Sequence, residues 1–158
     1  MKTIYAPNDV GEVCPIPTVF LAGSIEMGAA ENWQEEFVKH FEDDDVVFLN
    51  PRRLDWDSSW IQSINNAQFN EQVNWELDYI LNADFVVFYF DPNTLSPVTL
   101  LELGFMSPSI DIVVCCPEPY WKKGNVDIIC KRCEIATVDT LDDLILETKK
   151  FINDWWNK

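Results

Sequence analysis

Apolar residues along this chain fall into two alternating patterns. Short uninterrupted apolar blocks read as strands covered on both faces, and longer stretches with apolar positions three and four apart read as helices laid against a sheet. Thr18 to Ala22 is the first block, closed by Gly23-Ser24. From about Ala30 to Phe41 the residues Trp33, Phe37, Val38 and Phe41 keep helical spacing. Val46 to Leu49 predicts a second strand, stopped at Asn50-Pro51, and a polar loop with Arg52, Arg53, Asp55, Trp56, Asp57 and Trp60 follows. Phe69, Val73, Leu77, Ile80 and Leu81 predict a helix over Ala67 to Asn82, and Phe85 to Phe90 a third strand. Ser96-Pro97 has the form of a helix opening, a hydroxyl cap followed by proline at the first helical position; the helix runs on through Leu100, Leu101, Leu103 and Phe105. Ile110 to Cys115 predicts a fourth strand, Gly124 to Ile129 a short helix, Glu134 to Val138 a fifth strand and Leu141 to Trp155 a closing helix. Pro7, Gly11 and Pro15 break up the first sixteen residues, which are expected to form an extended arm.

Strands alternating with helices imply an α/β fold: a doubly wound, five-stranded parallel flavodoxin-like sheet with helices on both faces and right-handed crossovers. One domain is expected to cover residues 1–158, with 1–16 as the arm. In such sheets ligands sit beyond the carboxyl ends of the strands, near the point where strand order reverses. The informative loops are therefore those after the first four strands.

Composition narrows the partners. With 47% hydrophobic and 13% aromatic residues the chain can build a full core without disulfides or metals. A formal charge of −16 repels a phosphate backbone, so polymeric nucleic acid is not an expected partner. Apolar runs such as Phe85 to Phe90 are far shorter than the roughly 20 residues of a membrane span. The five cysteines, Cys14, Cys115, Cys116, Cys130 and Cys133, are odd in number, and no charged segment leads into an apolar leader, so free thiols and a cytoplasmic location are expected. Cys130 and Cys133 have zinc-knuckle spacing, but no second pair completes four ligands and His40 is the sole histidine; no metal is expected.

Glu102 is the sharpest chemical signal, a carboxylate among Leu100, Leu101, Leu103 and Gly104 in a helix that must pack on the sheet. It lies in the second turn of a helix opening at the ligand edge, where the helix dipole is expected to favour its charged form. Either it is a positioned nucleophile or its head reaches solvent. Glu76 stands one turn beyond Gln72 on the second helix and either faces the same cleft as a proton donor or shares a solvated face with Asn74 and Asp78. Gly23, Ser24, Arg52, Asp57, Gln72, Asp91, Ser96 and Asn125 are the candidate substrate contacts on the converging loops and helix starts. Arg52 and Arg53 would favour a phosphate and Glu26 would oppose one, which leaves nucleoside and nucleotide both open. Asp91, ending the third strand, also resembles the phospho-acceptor of a receiver module, although Ala22-Gly23-Ser24 lacks the acid pair a receiver carries after its first strand.

The segments VFLAGSI (Val19 to Ile25), NPRRLDWD (Asn50 to Asp57), FNEQVNWELDYILNAD (Phe69 to Asp84), FDPNTLSPVTLLELG (Phe90 to Gly104) and GNV (Gly124 to Val126) together resemble the nucleoside 2-deoxyribosyltransferase superfamily. The likeness extends to the deoxynucleoside 5′-monophosphate N-hydrolases, which share the Gly-Ser-Ile turn and a Glu-Leu-Gly helix. It implies Glu102 as the covalent nucleophile and Glu76 in a place held by aspartate in those relatives, near sugar and base. Ser96 stands where the transferases tend to carry an acid, and Phe20 where they carry tyrosine. The resemblance further implies a nucleoside or nucleotide and a free base as small-molecule partners, with no cofactor. A homo-oligomer is implied as well, with Asn125 reaching a neighbour's pocket at the 5′ end of the sugar. Transfer to a second base and transfer to water both remain open, and so does a non-catalytic nucleotide-binding module on the same fold.

Overall fold

The computed structural model describes residues 1–11, 15–26, 30–106 and 110–158; Cys14 lies outside them. Among the described residues six strands and five helices follow in the order β1 (Lys2–Tyr5), β2 (Thr18–Gly23), α1 (Trp33–Lys39), β3 (Val47–Asn50), α2 (Ala67–Asn82), β4 (Phe85–Tyr89), α3 (Pro97–Phe105), β5 (Asp111–Cys115), α4 (Lys123–Arg132), β6 (Ala136–Val138) and α5 (Leu141–Trp156). All strand pairs are parallel, in the order β1-β3-β2-β4-β5-β6. The five expected strands alone have the flavodoxin-like order, with the reversal between β2 and β4.

The sixth strand corrects the sequence reading. Lys2–Tyr5, expected in an irregular arm, pairs with β3 as the sheet edge, with Ile4 opposite Leu49. Only Ile4 of its four residues is buried, so the strand shows little of the two-sided apolar pattern of the inner strands. Its pairing is made by backbone, extended on either side by Lys2 N–H to Val46 O and Ala6 N–H to Asn50 O, both 3.0 Å. Asn8 of the arm is tied to α2, where Trp75 Nε1 donates to its O at 2.9 Å.

Period-two alternation sorts the inner strands between two cores. Phe20, Ala22, Val86, Phe88 and Val114 face one side, packed with Trp75, Ile80, Leu103, Val126 and Cys130 of α2, α3 and α4. Val19, Leu21, Val87 and Val113 face the other, against Phe37 of α1 and Leu144, Ile145 and Ile152 of α5. Burial of these side chains at about 25 cal/mol per Å² is the main favourable term in folding. Asn66 and Thr140 cap α2 and α5, accepting from Phe69 N at 2.9 Å and Asp143 N at 3.1 Å. The described cysteines, Cys115, Cys116, Cys130 and Cys133, are unpaired thiols. Among the described residues no helix is long and apolar enough to cross a membrane.

Candidate active site

At the carboxyl ends of β2 and β4, where strand order reverses, a cavity of about 590 Å³ opens. Its size falls in the range of about 300–1,000 Å³ typical of small-molecule sites. Gly23, Ile25 and Glu26 line it from the end of β2, Pro51 to Leu54 and Trp56 from the loop after β3, Phe69, Gln72, Val73 and Glu76 from α2, and Ser96 to Thr99 with Glu102 from α3. Glycine at 23 has a physical reason. Its φ is +156°, and a Cβ there would come within 2.5 Å of Tyr89 O and 2.7 Å of the Trp33 ring. Any side chain would force β2 and β4 apart at the cavity floor.

The two carboxyls meet in this space. Glu76 and Glu102 each line the cavity while most of their surroundings are protein. Burial pushes Glu76 up to about 7, partly offset by the hydrogen bond that Gln72 Nε2 donates to its Oε1 at 2.8 Å. Burial pushes Glu102 further, to about 8, and the nearby charge of Glu76 adds to the rise. This corrects the expectation that the helix dipole would hold Glu102 charged. A dipole worth about 0.3–1 kcal/mol at a helix end is outweighed by desolvation and by a like charge. The acids titrate together, so near neutral pH the pair holds one proton and one negative charge.

Gln72 is fixed from its nitrogen, which also donates to Pro51 O at 2.7 Å, whereas its buried Oε1 has no partner. Arg52 Nε and Trp56 Nε1 are likewise buried and unpartnered. Buried polar groups left unpaired cost about 1–3 kcal/mol each, so these two N–H donors and one carbonyl acceptor are a local cost of the packing beside the cavity. Arg53, in contrast, is engaged by Asp55 and Glu71, both at 2.7 Å, and lies over the Trp60 ring.

Of the candidate contacts, Gly23, Arg52, Gln72 and Ser96 line the cavity with Glu76 and Glu102; Ser24, Asp57, Asp91 and Asn125 do not. Ser24 is fully buried and tied to β4 through its N–H to Tyr89 O at 3.0 Å. Asp57 is exposed and accepts from Ser59 N at 2.8 Å in a local turn. Asp91 does the same for Asn93 N at 2.8 Å. Asn125 is exposed in the first turn of α4. Ser96 does not cap α3: its backbone is left-handed, φ 46° and ψ 51°, and its hydroxyl bonds Ser24 and Thr94 instead. The part of the cap is taken by Glu26, whose Oε1 accepts from Leu95 N at 2.9 Å and Ser96 N at 2.7 Å. No local sequence signal links Glu26 to a turn so far along the chain. Trp56 and Phe69 are lining residues that the sequence offered only as loop and helix aromatics. Among the described residues, no group of three or more His, Cys, Asp or Glu side chains is placed to hold a metal ion.

Comparison with known proteins agrees with this architecture. A conserved protein from Enterococcus faecalis V583, of known crystal structure, superposes with a TM-score of 0.60 over 85% of this chain and 98% of its own, at 14% identity, a likeness of fold. The search of curated proteins gives no match. The family model described as nucleoside 2-deoxyribosyltransferase like matches residues 16–120, the span from the approach to β2 through the loop after β5 that supplies every cavity-lining residue. This chain belongs to the nucleoside 2-deoxyribosyltransferase-like family.

Proposed function

We propose that the chain cleaves the N-glycosidic bond of a 2-deoxynucleoside and passes the sugar to a second base. The observation that carries this reading is the pair of carboxyls, Glu76 and Glu102, held above the ordinary carboxylate range in one largely apolar cavity. A pair sharing one proton supplies both a nucleophile and an acid at the same pH. Before substrate enters, the higher value of Glu102 and the Gln72 N–H on Glu76 favour the shared proton on Glu102. In the first step that proton passes to Glu76 as substrate enters, a carboxylate oxygen of Glu102 bonds to C1′ as the bond from C1′ to the base nitrogen breaks, and the electron pair leaves with the base, which takes the proton from Glu76. In the second step a nitrogen of the incoming base attacks C1′ from the other face, the ester to Glu102 breaks, and the proton of that nitrogen passes to Glu76. Arg52, Trp56 and Gln72, which line the cavity, are the proposed contacts to the base. The scheme uses neither metal nor cofactor.

Incubation with a deoxynucleoside, with and without a second free base, tests the reading. A new nucleoside is the expected product. Free 2-deoxyribose alone would make water the acceptor and the protein a hydrolase, and the absence of any cleavage would reduce it to a binding module.

We further propose a homo-oligomer that closes this cavity. Val98, Leu101 and Phe105 form an exposed apolar stripe along α3, with Leu101 73% exposed, beside exposed Leu95 and Trp121. Val98 belongs both to the stripe and to the cavity lining, so a neighbour seated there would cover the mouth. Sedimentation velocity is expected to show an oligomer that Leu101→Glu converts to monomer, with turnover reduced about tenfold or more. A wild-type protein that sediments as a monomer at working concentration contradicts this.

A further inference from the structure

Resting on the glycosidic reading, we infer that Gln72 is a positioning residue for the reaction: its side-chain amide fixes which oxygen of Glu76 carries the proton to the leaving base. One nitrogen makes the link. Gln72 Nε2 donates to Pro51 O at 2.7 Å and to Glu76 Oε1 at 2.8 Å. A main-chain carbonyl only accepts, so the bond to Pro51 decides which end of the amide faces the two oxygens. Reversed, the amide would bring its own oxygen against Pro51 O and Glu76 Oε1 together. Glu76 Oε1 therefore meets an N–H whether the acid is charged or neutral, and its proton has to sit on Oε2.

Both ends of the link are held. Pro51 lies in a turn in which Arg52 N donates to Asn50 Oδ1 at 2.9 Å, and Arg53 beside it pairs at 2.7 Å with Glu71, the neighbour of Gln72 on α2. Farther along α2 the N-terminal arm fixes the helix around Glu76. Trp75 Nε1 donates to Asn8 O at 2.9 Å, and Tyr79 Oη donates to Asp9 Oδ1 at 3.0 Å and accepts from Val10 N at 3.2 Å. Gln72 is 4% exposed, so water does not compete for its acceptors. On an open helix face a pair four residues apart contributes little; enclosed and tied to a second element, it sets geometry.

The same N–H acts on acidity. It favours the charged form of Glu76 against the burial that raises it, so Glu76 gives up a proton more readily than burial alone would allow. The other charged groups of the lining are engaged elsewhere. Glu26 accepts from Leu95 N and Ser96 N, Arg53 is held by Asp55 and Glu71, and Arg52 turns Nη2 to Ala30 O and Glu31 O. Without the amide, either oxygen of Glu76 can carry the proton and the acid weakens, and the step that suffers is protonation of the departing base.

A double-mutant cycle tests this. Gln72→Met keeps the length of the side chain and removes both N–H groups. With a natural deoxynucleoside it is expected to lower kcat about 30-fold in the otherwise wild-type chain but less than about threefold in the Glu76→Gln chain, where the residual is its contact with the base. With the 2-deoxyriboside of an activated phenol, the loss in the first background is expected to shrink by about tenfold. Equal losses in the two backgrounds, or equal losses for the two leaving groups, overturn the inference and leave the glycosidic reading standing, because loosened packing or a lost base contact acts whether or not Glu76 is an acid. The bond to Pro51 also supports the fold, so the wild type supplies a second measurement. Followed by NMR in 15N-labelled protein, the side-chain amide protons of Gln72 are expected to exchange with water at least about 100-fold more slowly than those of an exposed glutamine. Exchange as fast as an exposed amide overturns the inference. A wild type that cleaves no deoxynucleoside removes the glycosidic reading and the inference with it.

Discussion

Glu102→Gln is expected to reduce turnover of a 2-deoxynucleoside by about ten-thousand-fold or more, while Kd for the same compound changes by less than about tenfold. The amide keeps the shape and volume of the acid, so the cavity is preserved, but its oxygen is too weak a nucleophile to form an ester with C1′. A ten-thousand-fold loss is about 5.5 kcal/mol of transition-state stabilisation, within what a covalent nucleophile contributes. Kinetics by base release and binding by calorimetry check both halves, and turnover reduced by less than about tenfold would remove Glu102 from the reaction. The same variant has a stability signature. Burial raises both carboxyls above the ordinary value of 4.5, so the folded chain holds their protons to higher pH than the unfolded chain does. That contribution is fully present below about pH 4.5 and is lost as pH rises through about 7 and 8. The wild type therefore loses stability between these limits. Glu102→Gln loses less, and at pH 8 its Tm should exceed that of the wild type by roughly 5 °C, a gap that closes near pH 5.

Glu76→Gln is the second large effect, a loss of about 100- to 1,000-fold in turnover that depends on the leaving group. A natural base leaves poorly unless a ring nitrogen is protonated, and the amide introduced by this substitution has no proton of the needed acidity. A 2-deoxyriboside with an activated phenol as leaving group should need no such proton and recover most of the lost rate. The pH profile divides the roles. In the wild type kcat/KM should be bell-shaped, falling on the acid side of about 7 as the last carboxylate is protonated and on the alkaline side of about 8 as the shared proton is lost. Without Glu76 the alkaline limb should vanish. The acid limb should remain, because Glu102 beside the neutral amide of Glu76→Gln is still raised by burial, its largest cause. Equal losses for natural and activated leaving groups would contradict the role of Glu76 as proton donor.

The elements legible in the sequence are those whose apolar pattern is set by the sheet. The bounds of α2 agree at both ends, since Asn66 caps its start and the apolar spacing runs to its last turn. The inner strands are readable because Phe85 to Phe90 and Val19 to Ala22 are apolar on both faces. β1 is not, because an edge strand held by backbone bonds needs only one buried side chain. Glu102, Glu76 and Gln72 stand out as polar residues at positions facing the sheet edge, and the cavity contains all three. What composition and spacing do not convey is long-range. Glu26 takes over the cap that Ser96-Pro97 suggests, and the charge of Glu76 reaches Glu102 only once α2 and α3 are folded. Asp57 and Asp91 draw notice as acids in loops, yet each accepts hydrogen bonds from its own turn, a use of aspartate that sequence alone does not distinguish from ligand binding.

The most direct test of a covalent role for Glu102 is mass spectrometry of the wild-type protein quenched in acid during turnover of a deoxynucleoside without an acceptor base. The expected result is a gain of one 2-deoxyribosyl group, located by peptide mapping to Glu102, absent from Glu102→Gln and removed when an acceptor base is added before the quench. Full turnover with an unmodified chain, or the sugar found on any other residue, would contradict it.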